Sequence, residues 1–582
     1  MDRICLIEIE NEEEVQEMSL KIEVGRSVPE ETRRVAKAAF PKGNVYLWIG
    51  DELGELYSDH LFIDLYPVRG QPTVSPGRLA LITVMQFMEG LTDRQAAEAV
   101  RGRIDWKYAL GLELTDSGFD FSVLSEFRQR LSAGQQEQTL LNVLLEELKK
   151  RGWLKARSKQ RTDSTHVVAS VRQLNRLEMV GETMRRALNE LAAADPEWLK
   201  TIAPSEWFTR YGPRMDGIRL PKEREKREAL IEVIGSDGIY LMSTLLDTPE
   251  KQELRELPGV EILRQIWVQQ YWMEYPEGEE QYRVRLRTDD NQPPGDKRIH
   301  SPYDVDCRYC TKRSTEWVGY KVHLTETCEA ETVHLITHVE TSSAVEQDVS
   351  VTERIHTALD AKGILPGEHL LDTGYIGAEL LVNAKEEYGI VICGPVRKDV
   401  LWQANSGEGF GLSNFQINWK AQSVTCPRGR QSNYWSPRTN QYHQPVIQVR
   451  FRKEDCGVCP VQSKCTRSKL GIRHLLLLPQ AQYEALQKAR QEQQTPAFWK
   501  KYAKRAGIEG TISQGVRAFD LRFSRYIGLA KTHLQMVGSA TAMNMYRLYN
   551  WVNGVPQALT RIASFAQLAP DPSLIPSGWR TL

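Results

Sequence analysis

Apolar positions recur at helical spacing through residues 66–150. In SPGRLALITVMQFMEGL (75–91), Leu79, Ile82, Met85, Phe87 and Met88 fall near one stripe, with Ser75 at the N-cap and Pro76 in the first turn. Thr92 or Asp93 caps a second helix over TDRQAAEAVRGR, and FDFSVLSEFRQRL (119–131) reads as a third with Ser122 as its N-cap. Short helices ending in Arg128 and Arg130 suit a helix-turn-helix reader of DNA, and suit a plain helical bundle slightly better.

From about residue 157 the period changes. ARSKQRTDSTHVVASV alternates and ends in β-branched residues, so a strand is expected with Asp163, Thr165 and Val167 on one face. Residues 173–290 return to helical composition. Strands are expected again at 317–327 and 331–341, then an amphipathic helix over 346–363 stopped by Gly363. The stretch from Glu368 to Pro395 reads as strand, turn, helix and strand, with Asp372 where the first strand gives way to a Thr-Gly turn. Residues 396–500 are rich in Gly, Ser, Asn and Gln and end in the helix-like run QAQYEALQKARQEQQ. Two helical stretches follow, FWKKYAKRAGIEGTISQGVRAFDL and ATAMNMYRLYNWV (540–552), before a Pro-rich tail.

Composition narrows the class. The chain of 582 residues is 41% hydrophobic and 26% charged, near a globular average and too long for one ordinary domain. No window approaches the ~18 consecutive apolar residues of a membrane span. The acidic N-terminus, MDRICLIEIENEEE, lacks the basic flank of a signal peptide. Nine cysteines, an odd number, favour a reducing compartment over a disulfide scaffold. A net charge of −1 conceals a strong polarity: residues 1–65 hold 7 Lys/Arg against 15 Asp/Glu, and residues 396–535 hold 23 against 8. A basic stretch that also carries Tyr434, Trp435, Phe451, Tyr502, Phe519, Phe523 and Tyr526 is the footprint expected of a nucleic-acid contact surface.

Asp163 in a strand and Asp372 at the carboxyl end of another occupy the places where α/β sheets bind ligands. Carboxylates gathered there raise one another's pKa unless a cation joins them, and Mg²⁺ is the hard ion that takes such oxygens. The order strand–Asp, two strands, helix, strand–Asp and late helix is that of the ribonuclease H-like fold. That fold asks for a third acid from the late helix, here Glu509 in Tyr502-x2-Arg505-x3-Glu509, whose spacing puts all three residues on one helix face. Gly507 and Gly510 weaken that helix locally and are read as letting backbone approach DNA closely.

The chain resembles DDE insertion-sequence transposases, most closely the bacterial family numbered 1182, related to families 4 and 5. LITVMQFMEGLTDRQAAEAVRGRIDWKYALGL and DFSVLSEFRQRL resemble their helical N-terminal domain. TDSTHV resembles the segment with the first catalytic Asp, GYKVHLTET their second core strand, and LLDTGYIG the second Asp segment. The Tyr/Arg/Glu spacing resembles the third-acid signature, and GLAKTHLQ with ATAMNMYRL the segment behind it. The likeness covers roughly residues 70–550. One departure is Val516 where the signature has Lys; Arg517 stands one residue further on.

The resemblance implies an α/β architecture: a ribonuclease H-like catalytic core with large insertions, preceded by an all-helical domain. The expected bounds are an acidic extension over 1–65, the helical DNA-binding-like domain over 66–150, and a core over 151–550. A helical insertion over 173–300 and a basic Cys-containing insertion over 396–500 interrupt that core, and a tail covers 551–582. It implies Asp163, Asp372 and Glu509 as catalytic ligands of two Mg²⁺ ions, replaceable by Mn²⁺, with Tyr502, Arg505 and Arg517 on DNA phosphate. The implied activity is to bind the terminal inverted repeats of the insertion sequence, hydrolyse the phosphodiester at the ends and join them to target DNA by transesterification. Double-stranded DNA is then the partner, a homodimer the synaptic state and the bacterial cytoplasm, at the nucleoid, the location. A metal-dependent nuclease without strand transfer and a catalytically inactive repressor are the alternatives. His166 and His323 beside the strand motifs read as core or edge positions rather than ligands.

Cys426, Cys456-x2-Cys459 and Cys465 cluster in polar, basic sequence. Cys-x2-Cys places two thiolates on one tight turn, and four such ligands close a structural zinc site. An iron–sulfur cluster and free thiols remain open by spacing alone. Cys307-x2-Cys310 lacks a second pair and is read as incidental.

Overall fold

The computed structural model describes residues 20, 22, 25–67, 73–215, 220–276, 282–312, 314–330, 332–399, 401–405, 409–556 and 568. The first part of the acidic extension and nearly all of the tail lie outside the described residues.

Helices begin before the expected boundary at 65. Glu30–Ala39 forms α1, and the segment from Tyr46 to Tyr66 buries Tyr46, Trp48, Ile49, Tyr57 and Phe62 in the same core as Pro76–Glu89 (α2) and Asp93–Gly102 (α3). Ser75 caps α2 by accepting from the Arg78 N–H, and Gly90 ends it at φ 69°, a left-handed position that glycine adopts without Cβ strain. Thr92 and Gln95 form a reciprocal capping box on α3. Ser122–Ala133 (α4) corrects one expectation. Ser122 is its first residue and caps nothing; the Asp120 carboxylate accepts from the Ser122 N–H instead. Arg128 is buried, paired with Asp93 at 2.5 Å and stacked over Tyr526, so here it packs within the bundle. Thr139–Lys150 (α5) completes the bundle with a stripe of Leu140, Leu141, Leu144, Leu145 and Leu148.

The sheet starts with Lys159–Val168 (β1). Between it and the next core strand lies a helical insertion with its own apolar core, built on Arg176–Ala194 (α6), Arg224–Leu246 (α7) and Pro258–Gln270 (α8) and closed by a hairpin of Tyr271–Glu274 with Arg283–Leu286. Among the described residues, α7 alone is long and apolar enough to cross a membrane by length and composition, although Glu232 and Asp237 interrupt its apolar run as the sequence leads one to expect. It carries Asp237, which accepts from Tyr211 at 2.6 Å, and packs Ile231, Ile234, Leu241 and Leu245 into the insertion core.

Arg308–Lys312 (β2), Thr315–Thr327 (β3) and Ile336–Ser343 (β4) follow; β2 was not anticipated, and β4 starts five residues later than expected. Strand β3 is long enough to pair with β1 along one edge and with β2 and β4 in succession along the other. Asp348–Ala361 (α9) leads to Glu368–Leu370 (β5), and Ala378–Glu386 (α10) to Val391–Cys393 (β6). β1 is antiparallel to β3 and parallel to β5, which is parallel to β6. The six-stranded sheet is therefore mixed, and the fold is α/β.

The basic insertion holds two small antiparallel sheets around Phe415, Val424, Val449, Phe451, Leu475 and Leu477. Of the aromatics in the basic stretch 396–535, Phe451 and Phe519 are buried, Tyr434, Trp435, Tyr502 and Tyr526 are half-buried, and Phe523 is exposed. After Gln480–Glu492 (α11), the chain forms Pro496–Tyr502 (α12), Gly507–Ala518 (α13) and Leu529–Val552 (α14). α14 buries twelve consecutive residues, Leu534 to Met545, but one-sidedness returns after Met545, and it packs against α2, α4, α5 and β4. Bundle and sheet thus share one core.

Candidate active site

Asp163 sits mid-β1, where pairing with β3 on one side and proximity to β5 on the other fix the backbone. Its Oδ1 accepts from the Ser164 N–H at 2.8 Å. Asp372 follows β5, and its Oδ1 accepts from the Gly374 N–H at 2.7 Å, capping the short turn Thr373–Tyr375. Each aspartate thus commits one oxygen to backbone and leaves Oδ2 free to point elsewhere. Both Oδ2 atoms point at one guanidinium: Arg505 Nη2 lies 3.1 Å from Asp163 and 3.5 Å from Asp372. Arg505 Nη1 lies 3.8 Å from Glu509 Oε1.

Three acids from segments far apart in sequence are therefore gathered around Arg505. Burial pushes the Asp163 carboxyl above the usual range, with Arg505 opposing and Asp372 reinforcing the shift. Burial also works against the charge on Arg505, but Asp163, Tyr502, Asp372 and Glu509 together hold its pKa above the ordinary value. An open cavity of about 410 Å³ fronts the group, lined by Asp372, Thr373, Tyr502, Arg505, Ala506 and Glu509. Tyr502 stacks on Phe498, and both rest against Cys328, Leu370 and Cys393 at the end of β5 and β6. Arg517 lies exposed further along α13, outside that lining.

The single helix expected across Tyr502, Arg505 and Glu509 is broken. Tyr502 ends α12, Ala503–Ala506 winds as a 3₁₀ turn, and Glu509 lies in α13. The three residues nonetheless line the same cavity. Gly507 is likewise corrected. A Cβ there would stand 2.1 Å from Arg161 Nη1, so its smallness serves internal packing, whereas Gly510 faces open space.

Arg161 and Glu326, which the sequence reading passed over, lie beneath the site as cross-strand partners. Glu326 is fully buried and also meets Arg547 and Thr511. Two charged residues of opposite sign inside strands, Arg161 beside Thr162 and Glu326 between Thr325 and Thr327, were the available signal. His323 is a core residue as expected: it is bonded to Tyr375 Oη and Ser342 Oγ, and burial lowers its pKa to about 4. His166 packs on Trp317.

Cys426, Cys456, Cys459 and Cys465 line one cavity of about 150 Å³ together with Phe415, Phe451 and Arg473. All four are free thiols. Burial raises the Cys456 pKa and pushes that of Cys465 up to about 11. Cys307 is buried elsewhere, on the edge of the main core. Among the described residues, no group of three or more His, Cys, Asp or Glu side chains is closed into a metal-holding geometry.

Residues 35–130 match the family described as Transposase domain (DUF772), and residues 425–549 match the Transposase DDE domain family. No curated protein and no solved structure matches the chain. The second match contains Tyr502, Arg505, Glu509 and the four clustered cysteines; the first covers α2, α3 and most of α4. Together the two matches indicate a transposase and support a DDE-type transposase family.

Proposed function

We propose that the chain is a transposase of the insertion-sequence type that binds its element's terminal inverted repeats, cleaves the DNA ends and joins them to target DNA. One observation carries the reading: Asp163, Asp372 and Glu509 converge on a single cation, the Arg505 guanidinium, beside an open cavity. The mixed sheet, with β1 at its centre, one acid within β1 and another following β5, supports a ribonuclease H-like core.

The donor set fits magnesium. It consists of carboxylate oxygens, two of them on aspartates already anchored through their other oxygen, and the pocket is open enough for waters and a phosphate. Asp163, Asp372 and Glu509 would hold two such ions, which lower the pKa of an attacking water or 3′-hydroxyl and neutralise charge on the leaving oxygen. The rest is positioning by the chain. Arg505 offers a forked pair of donors to a phosphate oxygen, and Tyr502 borders the same cavity. Arg517 and the basic 396–535 segment lie along the DNA backbone beyond the site, an electrostatic contact that weakens with salt. The four cysteines would hold a structural zinc, since four soft donors share one small cavity. Synapsis of two ends brings two copies together.

The test is incubation of the protein with Mg²⁺ and DNA bearing the element's ends, beside Asp372→Ala and Glu509→Ala variants. Cleavage at the ends that vanishes in both variants is the expected result. Tight end binding with no cleavage, unchanged by either substitution, returns the chain to a repressor.

A further inference from the structure

We propose that Glu326, acting through Arg161, Arg547 and Thr511, is the positioning residue that fixes the segment presenting Arg505 and Glu509. Glu326 lies in β3 directly opposite Arg161 of β1, two residues before Asp163. Its Oε1 accepts from Arg161 Nε at 2.7 Å and pairs with Nη2 at 2.6 Å. Its Oε2 accepts from Arg547 Nη1 at 2.9 Å and from Thr511 Oγ1 at 2.5 Å. Burial opposes the charge on Glu326, but Arg547 and Arg161 hold its pKa below the ordinary range.

Three arms of this network end on the 3₁₀ turn and α13, while Arg161 and Arg547 also meet His334 just before β4. Arg161 Nη1 donates to the Lys504 carbonyl at 2.5 Å, one residue before Arg505. Thr511, two residues after Glu509, donates to Glu326 and accepts from Arg547 Nη2 at 2.7 Å. Arg547 Nε reaches Gln514 Oε1 at 2.9 Å, one helical turn further. The segment 504–511 is therefore held at both ends by one buried carboxylate, and Gly507 gives it the room to lie against Arg161. Strand β1 carries the first acid, so the network sets the third acid's helix against the first acid's strand.

A buried ion cluster gains little stability over apolar packing of the same shape. Its value here lies in geometry, because partners that orient a ligand change metal affinity and activity as ligands do. The inference rests on the proposed metal-dependent cleavage, and the experiment separates the two. Full-length Thr511→Val keeps the shape and deletes the hydroxyl, whereas Thr511→Ser keeps the hydroxyl. Mn²⁺ binding is followed by electron paramagnetic resonance of the free ion, with Asp372→Ala as the reference for loss of the site. The expected result is Mn²⁺ binding about tenfold weaker in Thr511→Val and unchanged in Thr511→Ser. Cleavage by Thr511→Val should be restored by raised Mn²⁺, a shift in metal requirement at constant maximal rate. Wild-type Mn²⁺ affinity in Thr511→Val, or equal weakening in both variants, overturns the proposal. Wild-type protein that binds Mn²⁺ through Asp372 yet leaves element ends uncut overturns the cleavage reading and leaves the positioning role standing on the binding data.

Discussion

Arg505 Nη2 stands 3.1 Å from Asp163 Oδ2, in the place where a cation bound by the three acids would compete with it. Both side chains are largely buried, so the pairing is not a screened surface contact. Arg505→Ala leaves Asp163 and Asp372 facing each other without a counterion, and should cost about 1–3 kcal/mol of stability in metal-free buffer. The same change removes the competitor for a divalent ion. Added Mn²⁺ should therefore raise the melting temperature more in Arg505→Ala than in the wild type, as a ligand bound only by the folded state does. Equal increments in calorimetry would show that the guanidinium does not hold the cation's place. Cleavage should be lost in either case, because the forked phosphate donor is gone.

Gly507 and Gly510 are three residues apart on α13 and predict opposite outcomes. A Cβ at Gly507 meets Arg161, which is pinned by Glu326 and cannot yield, so Gly507→Ala should destabilise by about 1–3 kcal/mol. Gly510 faces open space, and Gly510→Ala should stabilise by about 0.5–1 kcal/mol through helix propensity alone. Urea denaturation of the two variants gives the comparison. Destabilisation by both would mean that α13 needs flexibility at Gly510 as well.

The periodic elements were legible because their causes are local. Ser75, Pro76 and the Leu79–Met88 stripe specify α2, and Gly363 stops the helix before β5, from neighbouring residues alone. Asp163 and Asp372 were legible because each sits at a strand position with a recognisable turn or β-branched context. Glu326 was not, since its meaning depends on Arg161 across a strand pair and on Arg547 more than two hundred residues away. The 3₁₀ turn at Ala503–Ala506 was hidden for a similar reason: Tyr502, Arg505 and Glu509 keep helical spacing, and the tightening comes with Arg161 holding the Lys504 carbonyl. The expected N-cap at Ser122 failed to a nearer competitor, Asp120, whose carboxylate reaches the same N–H.

The cysteine cavity predicts one zinc per chain. The small apolar core around Phe415 and Phe451 leaves this insertion dependent on a further tie. Elemental analysis should find zinc in the purified protein, less in Cys456→Ser and Cys459→Ser, and an unchanged amount in Cys307→Ser, which lies in another core. Chelation should expose residues 410–477 to protease before the sheet carrying Asp163. Because burial holds the Cys465 thiol up at about 11, metal uptake at neutral pH must release protons, which a weakly buffered titration detects. Iron with visible absorbance in place of zinc would assign an iron–sulfur cluster.

His323 links acid stability to the second acid's turn. Burial holds its folded pKa at about 4, below the unfolded value of about 6.5. With the folded pKa depressed, the unfolded chain binds the extra proton first, so stability is complete above about pH 6.5 and falls as the pH drops toward 4. The loss from this group alone is about 2 kcal/mol at pH 5. His323 Nδ1 is bonded to Tyr375 Oη, and Tyr375 closes the turn that Asp372 caps, so protonation loosens the support of an acid rather than a remote core. A glutamine supplies an acceptor and a donor for Tyr375 and Ser342 without titrating. Melting temperatures of the wild type and His323→Gln should therefore lie close together at pH 7 and separate by pH 5, with the wild type lower. Parallel decline of both proteins would place the acid sensitivity in other buried histidines, among them His338 and His356, whose pKa values burial also lowers to about 4, and His369, which burial lowers as well.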